Sequence, residues 1–158
     1  MKTLTVGKPV PDIEVRATDD QKFKLSDLQG KNLVLYFYPK DNTPGCTTEG
    51  QDFRDHYEEF RKLKTEIFGV SRDTLKSHEG FKGKQCFPFD LIADEGEQLC
   101  KLFDVIKEKT LYGKKYLGIE RSTFLIDRQG ILQKEYRGVK VDGHVATVLA
   151  DVKKLAKQ

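Results

Sequence analysis

The hydrophobic pattern is densest at Asn32-Leu33-Val34-Leu35-Tyr36-Phe37-Tyr38, a continuous apolar run of strand length that stops at Pro39. Such a run predicts a central strand buried on both faces. Beyond it, Phe53, Tyr57, Phe60 and Leu63 recur at helical spacing, with Thr43 placed to cap the helix and Pro44 at its first position. The units then repeat. Glu66–Ser71 reads as a strand, Asp73 or Thr74 caps a helix running to about Gln85, Phe87–Ile92 returns to strand, and Glu95–Phe103 is a short helix.

Upstream, residues 13–16 form a short strand, 19–21 a turn, and Ser26–Gly30 a helical turn ended by its glycine. Downstream, the Lys- and Gly-rich stretch 107–118 reads as a loop. Ser122–Ile126 and Ile131–Tyr136 are strands joined by Asp127-Arg128-Gln129-Gly130, with Asp first and Gly fourth as a type I turn prefers. Asp142 is placed to cap a last helix whose Val145, Val148, Leu149, Val152 and Leu155 make one apolar stripe. Early strand–helix–strand units, then a hairpin and a final helix, predict an α/β fold with a mixed central sheet and helices on both faces.

No repeat, low-complexity linker or shift of composition divides the 158 residues, so 1–158 reads as one domain. The chain is 34% charged and 37% hydrophobic with a net charge of only +3, its signs interleaved rather than gathered in a basic stripe, which argues against nucleic acid. Its longest apolar run is far too short to span a bilayer, and Met1–Lys8 shows no secretory leader. Three scattered cysteines, at 46, 86 and 100, form neither a secreted disulfide framework nor a zinc-site spacing. A reducing cytoplasm is the compartment they suit.

The chemistry concentrates in Pro39-Lys40-Asp41-Asn42-Thr43-Pro44-Gly45-Cys46-Thr47-Thr48-Glu49. On this reading Cys46 lies in the first turn of a helix, where unpaired amides and the positive end of the dipole favour an anion, here a thiolate. Thr43 can cap that helix or turn its hydroxyl toward whatever meets the sulfur. Arg121, just ahead of a strand, falls at a sheet end, where a planar guanidinium can stabilise a thiolate and donate to two oxygens at once.

Pro39, Thr43 and Cys46, in Pro-x-x-x-Thr-x-x-Cys spacing, resemble the active-site signature of the peroxiredoxins. The fuller strings Tyr36–Lys40 and Thr43–Thr47 are similar to the peroxiredoxin Q, or bacterioferritin comigratory protein, subfamily. The similarity extends to Gly7 and Pro11, Leu25–Gly30, Phe89–Asp94 and Arg121–Gly130. The resemblance implies a thioredoxin-like fold and a thiol peroxidase that reduces hydrogen peroxide and organic hydroperoxides, in antioxidant defence and redox homeostasis. Cys46 would be the nucleophile and would become a sulfenic acid, with Arg121, Thr43 and Pro39 around it and neither metal nor organic cofactor. The implied partners are the hydroperoxide and thioredoxin or a small thiol, with the chain a monomer or weak homodimer. A non-catalytic thioredoxin-like module that only binds partners is the alternative.

Many members of this subfamily carry the resolving cysteine five residues after the reactive one, and that position here is Gln51. Others place it on the helix after the next strand, where this chain has Cys86. Either Cys86 resolves Cys46 through a disulfide, or the enzyme uses one cysteine and an external thiol. Cys100, in Leu99-Cys100-Lys101-Leu102-Phe103, reads as packing. Glu49 matches a family position but fits an exposed helical Glu equally well. His56, His78 and His144 read as surface or capping residues, and the Lys107/109/114/115 cluster as a solvated basic loop that could meet an acidic reductant.

Overall fold

A computed structural model of the protein describes residues 4–157. The leaderless reading of Met1–Lys8 and the single-domain reading of 1–158 each extend onto terminal residues outside that range. Among the described residues, nine strands and five α-helices run in the order β1 (Glu14–Ala17), β2 (Gln21–Lys24), β3 (Asn32–Phe37), α1 (Pro44–Asp55), α2 (Tyr57–Lys62), β4 (Thr65–Ser71), α3 (Leu75–Gln85), β5 (Asp90–Ala93), α4 (Gln98–Leu102), β6 (Ile106–Leu111), β7 (Lys114–Ile119), β8 (Ser122–Ile126), β9 (Leu132–Tyr136) and α5 (His144–Ala156). Seven strands form one mixed sheet in the order β2-β1-β5-β4-β3-β8-β9. β3 lies parallel to β4 and antiparallel to β8, and β4 lies parallel to β5.

The apolar run explains why β3 sits deep in the sheet. Alternate side chains point to opposite faces. Leu33, Leu35 and Phe37 enter one core with Phe68, Phe103 and Phe124, while Val34, Tyr36 and Tyr38 enter the other with Phe53, Phe60, Phe81 and Val148. α1, α2, α3 and α5 cover the second core and α4 the first, so helices lie on both faces as the pattern predicts.

Several boundaries differ from the sequence reading. The expected single helix to Leu63 breaks at His56, whose backbone (φ −106°, ψ 4°) leaves the helical region between α1 and α2. β2, unforeseen, pairs with β1, and its Phe23 packs partly buried on the first core. The helix expected from Glu95 shrinks to α4, because the Asp94 carboxylate accepts the amides of Leu99 and Cys100 at 3.1 and 2.8 Å while Glu97 takes a positive φ of 62°. Gly143 (φ 74°), not Asp142, occupies the N-cap of α5.

The largest correction concerns residues 107–118, which are not a loop. β6 and β7 form an antiparallel hairpin with six paired positions, from Ile106–Ile119 to Leu111–Lys114. Tyr112 and Gly113 at its tip both have positive φ (52° and 77°), the geometry of the two-residue turns that match strand twist. Among the described residues, no helix is long and apolar enough to cross a membrane.

Candidate active site

Parallel strands place their carboxyl ends at one edge, and the loops that follow gather there. The segment after β3 leads through Pro39–Asn42 into α1. The β3–β8 register pairs Phe37 with Ser122, so Arg121, one residue ahead, emerges at the same end. Cys46 and Arg121 are 75 positions apart in the chain, and an antiparallel neighbour brings them together.

Cys46 occupies the third position of α1, ahead of which Thr43 serves as the N-cap residue. The first bond of the helix runs from the Thr47 amide to the Thr43 carbonyl at 2.9 Å, so the Gly45 and Cys46 amides precede the ladder. Cys46 is 2% exposed. Arg121 reaches it directly: Nη2 lies 3.4 Å from Cys46 Sγ, while Nη1 donates to Glu49 Oε1 at 2.7 Å. Gly45 makes that approach feasible, because a Cβ there would stand 3.1 Å from Arg121 Nη2.

Glu49 is therefore not the exposed helical residue its sequence context equally allowed. It is fully buried, and its Oε2 has no hydrogen-bond partner among the described residues. Burial pushes its carboxyl up to about 7, against the pull of the Arg121 guanidinium. For Arg121, burial works against the charge, but Glu49 and Cys46 outweigh it and hold the guanidinium above its ordinary value.

Thr43 makes no capping bond with its side chain. Its hydroxyl donates to the Lys40 carbonyl at 2.8 Å, which leaves the oxygen lone pairs free to accept. Pro39, half-buried, ends β3 without an amide to continue the ladder. The loop between them is held from below. Asp41 is buried and accepts from the Tyr38 hydroxyl at 2.6 Å and the Ser77 hydroxyl at 2.7 Å, and its Oδ2 meets His78 Nδ1 at 2.8 Å. Asp73 takes the Asp41 amide at 2.9 Å. Asp41, Asp73 and His78 are close enough to surround a metal ion, but these bonds already engage their oxygens and Nδ1, and His78 Nε2 faces the Ile92 carbonyl at 2.9 Å. The cluster is an anchor from α3 to the Cys46 loop.

The family model for the AhpC/TSA family matches residues 6–135. Peroxiredoxin Bcp of Bacillus subtilis is 50% identical over 156 residues, covering 99% of both chains. The chain belongs to the peroxiredoxins. Among solved structures, a cysteine-to-serine variant of Xylella fastidiosa PrxQ superposes with a TM-score of 0.93 at 42% identity over 99% of each chain. Structures of the Xanthomonas campestris bacterioferritin comigratory protein, described in terms of its alkyl peroxide reduction activity, superpose at 0.87 with 50% identity over 91% of this chain and 92% of that one. The fold is that of the thioredoxin-like peroxiredoxins, the subfamily is peroxiredoxin Q, and the chain is a thiol peroxidase.

The other cysteines of this peroxiredoxin sit in contrasting surroundings. Cys100 is buried, and desolvation followed by the Asp94 carboxylate raises its thiol far above the ordinary range, so it stays an inert core residue as its apolar context predicts. Cys86 is exposed at the C-cap of α3 in the left-handed region, φ 56° and ψ 44°. Its neighbour Gln85 binds α1: the side chain accepts from Gln51 and the carbonyl from Arg54, both at 2.9 Å. That contact lies five to eight residues past Cys46, about 7–12 Å along the helix axis. The structure therefore does not bring the two sulfurs together, and all three thiols are free.

Two histidine expectations are corrected. His78 and His144 are buried rather than superficial; His144 bonds Thr123 at 2.8 Å, and desolvation followed by Arg121 lowers it to about 4. His56 does sit at the α1–α2 junction, as a capping residue would. The burial of His78 had a sequence signal in its i,i+3 relation to Phe81, whereas that of Glu49 had none that separated it from an exposed helical residue.

Proposed function

We propose that Cys46 is the peroxidatic nucleophile, reducing hydrogen peroxide and organic hydroperoxides, and that Arg121, Thr43 and Pro39 build its pocket. The observation that carries this is the fork of Arg121, with one arm on the Cys46 sulfur at 3.4 Å and the other on buried Glu49 at 2.7 Å. A guanidinium so fixed is aimed before substrate arrives and stabilises charge that develops between sulfur and oxygen. The Thr43 oxygen, with its own hydrogen committed to Lys40, accepts the peroxide O–H. The thiolate attacks one peroxide oxygen, the O–O bond breaks, water or alcohol leaves, and Cys46 becomes a sulfenic acid. Pro39 fixes the exit from β3 and so the distance between strand and nucleophile.

Cys86 is the second sulfur of the cycle in this reading. Its support is exposure, a strained left-handed backbone worth about 1–2 kcal/mol, and a contact with α1 through Gln85. Disulfide geometry needs Cα atoms within roughly 4.4–6.8 Å, so the first turn of α1 and the end of α3 must open. Thioredoxin or another small thiol then completes the cycle in the cytoplasm, with the protein a monomer or weak homodimer acting in antioxidant defence and redox homeostasis. The test is intact mass and peptide mapping of reduced protein after one equivalent of peroxide. The expected result is a Cys46–Cys86 cross-link, loss of turnover in Cys46→Ser, and turnover kept in Cys100→Ser. A persistent sulfenic acid without the cross-link assigns resolution to an external thiol, and equal losses from both serine variants remove Cys46 from its role.

A further inference from the structure

The turn that carries Thr43 is shaped by ties from outside it. Asn42 lies in the left-handed region at φ 63°, a conformation that Asn tolerates but does not prefer. Thr43 is fixed at its carbonyl by the Thr47 amide at 2.9 Å, and its hydroxyl is aimed at the Lys40 carbonyl at 2.8 Å. That carbonyl and the Asp41 amide are the two ends of one planar peptide group and point opposite ways. The amide end donates to Asp73 Oδ2 at 2.9 Å. Tyr38, Ser77 and His78 hold the Asp41 side chain, but those bonds leave the peptide plane ahead of it free to turn about its flanking dihedrals. Asp73 removes that freedom. Its carboxylate is set in turn by Ser71, whose hydroxyl donates to Oδ2 at 2.5 Å from the buried end of β4, the parallel neighbour of β3.

We infer that Asp73 is a positioning residue for peroxide reduction, acting through the Lys40–Asp41 peptide group on the direction of the Thr43 hydroxyl. The relay has three bonds: Ser71 hydroxyl to Asp73, Asp41 amide to Asp73, and Thr43 hydroxyl to the Lys40 carbonyl. A carboxylate on the amide end polarises the peptide and makes its carbonyl a stronger acceptor, so the Thr43 hydrogen stays committed to Lys40. The lone pairs of Thr43 are then held ready for the peroxide O–H. With Asp73 withdrawn, the plane can turn, the Thr43 hydrogen loses its fixed acceptor, and the peroxide meets a hydroxyl of no set direction. Asp73 touches neither the substrate nor the sulfur in this scheme. It sets the geometry of the group that does.

The inference rests on Cys46 as nucleophile and Thr43 as acceptor of the peroxide O–H. Its test compares two reactions of the same sulfur. Oxidation by hydrogen peroxide needs the Thr43 acceptor, whereas alkylation by iodoacetamide, which brings no O–H, does not. Both rates are measured on reduced protein, the second by mass of the Cys46 peptide, and their ratio cancels any change in the amount of thiolate. A misplacement of about 1 Å costs up to about 10²-fold, so Asp73→Ala should lower the peroxide-to-alkylation ratio by at least about tenfold. Asp73→Asn keeps an oxygen for the Asp41 amide and should hold the ratio within about threefold of the wild type. In a Thr43→Val background, Asp73→Ala should change the ratio by less than about twofold, because both substitutions remove one effect. An unchanged ratio in Asp73→Ala, including an equal fall of both reactions, overturns the proposal. So does an Asn variant as poor as Ala, or a full further loss on top of Thr43→Val. Asp73→Ser, whose side chain is too short to reach the Asp41 amide, carries the comparison if Asp73→Ala does not fold. A low ratio in Thr43→Val beside a normal one in Asp73→Ala removes Asp73 alone; a normal ratio in Thr43→Val removes the Thr43 reading and the proposal with it.

Discussion

Replacing Glu49 with Gln should flatten the pH dependence of stability, because a buried carboxyl held at about 7 titrates where an unfolded one, near 4.5, has already ionised. Between those values the folded chain binds the extra proton, so stability from this group is fully present below about 4.5 and is lost as pH rises through about 7. The difference amounts to roughly 3 kcal/mol over the full window and about 2–3 kcal/mol between pH 5 and 8. Gln keeps the shape and an oxygen for Arg121 Nη1 but does not titrate. Losing the carboxylate beside a half-buried guanidinium has its own cost, yet that cost does not vary across this range and cancels in a double difference. The assay is urea unfolding of reduced protein at pH 5 and pH 8 for wild type and Glu49→Gln, with the midpoints converted through a common slope. The wild type should lose about 2–3 kcal/mol more than the variant on going to pH 8. A double difference under about 0.5 kcal/mol, the usual size of an uninformative surface effect, would refute the reasoning and make Glu49 an ordinary ionised partner of Arg121.

Arg121→Lys keeps the charge but loses the planar fork that spans Cys46 and Glu49, and stopped-flow oxidation of Cys46 should slow by at least about tenfold; a rate within about twofold, ~0.4 kcal/mol, removes Arg121 from the pocket. Gly50→Ala drives a Cβ into the Phe87 ring. The clash of about 1–3 kcal/mol should outweigh the helical gain of about 1 kcal/mol and lower the urea midpoint; an unchanged or raised midpoint would show that Phe87 gives way freely. Gly83→Ala meets nothing within 4 Å, so it should stabilise α3. The expected gain is about 0.5–1 kcal/mol, with slower formation of the Cys46–Cys86 cross-link by mass spectrometry; cross-linking at the wild-type rate would mean that α3 does not open during resolution.

What the chain determined by itself was periodic and local. The two-sided strand at β3, the helix entry at Thr43-Pro44, the cap at Thr74 and the Asp127–Gly130 turn all follow from short-range rules, and the structure honours them: the Ser77 amide bonds Thr74 Oγ1 at 3.1 Å, and the Gly130 amide bonds the Asp127 carbonyl at 3.0 Å. The motif of the proposed nucleophile was legible too, since Pro39, Thr43 and Cys46 lie within eight residues. The β6–β7 hairpin was not, because its alternating charged side chains carry no apolar period and its turn needs a positive φ at Tyr112. Nor could the sequence decide whether Glu49 faced water. Only the antiparallel register of β3 with β8 delivers Arg121 to the end of α1, and only that arrival, with the pocket closed over it, buries Glu49. Propensity acts between neighbours in sequence, whereas burial and electrostatics act between neighbours in space, and residues 49 and 121 become neighbours only when the sheet closes.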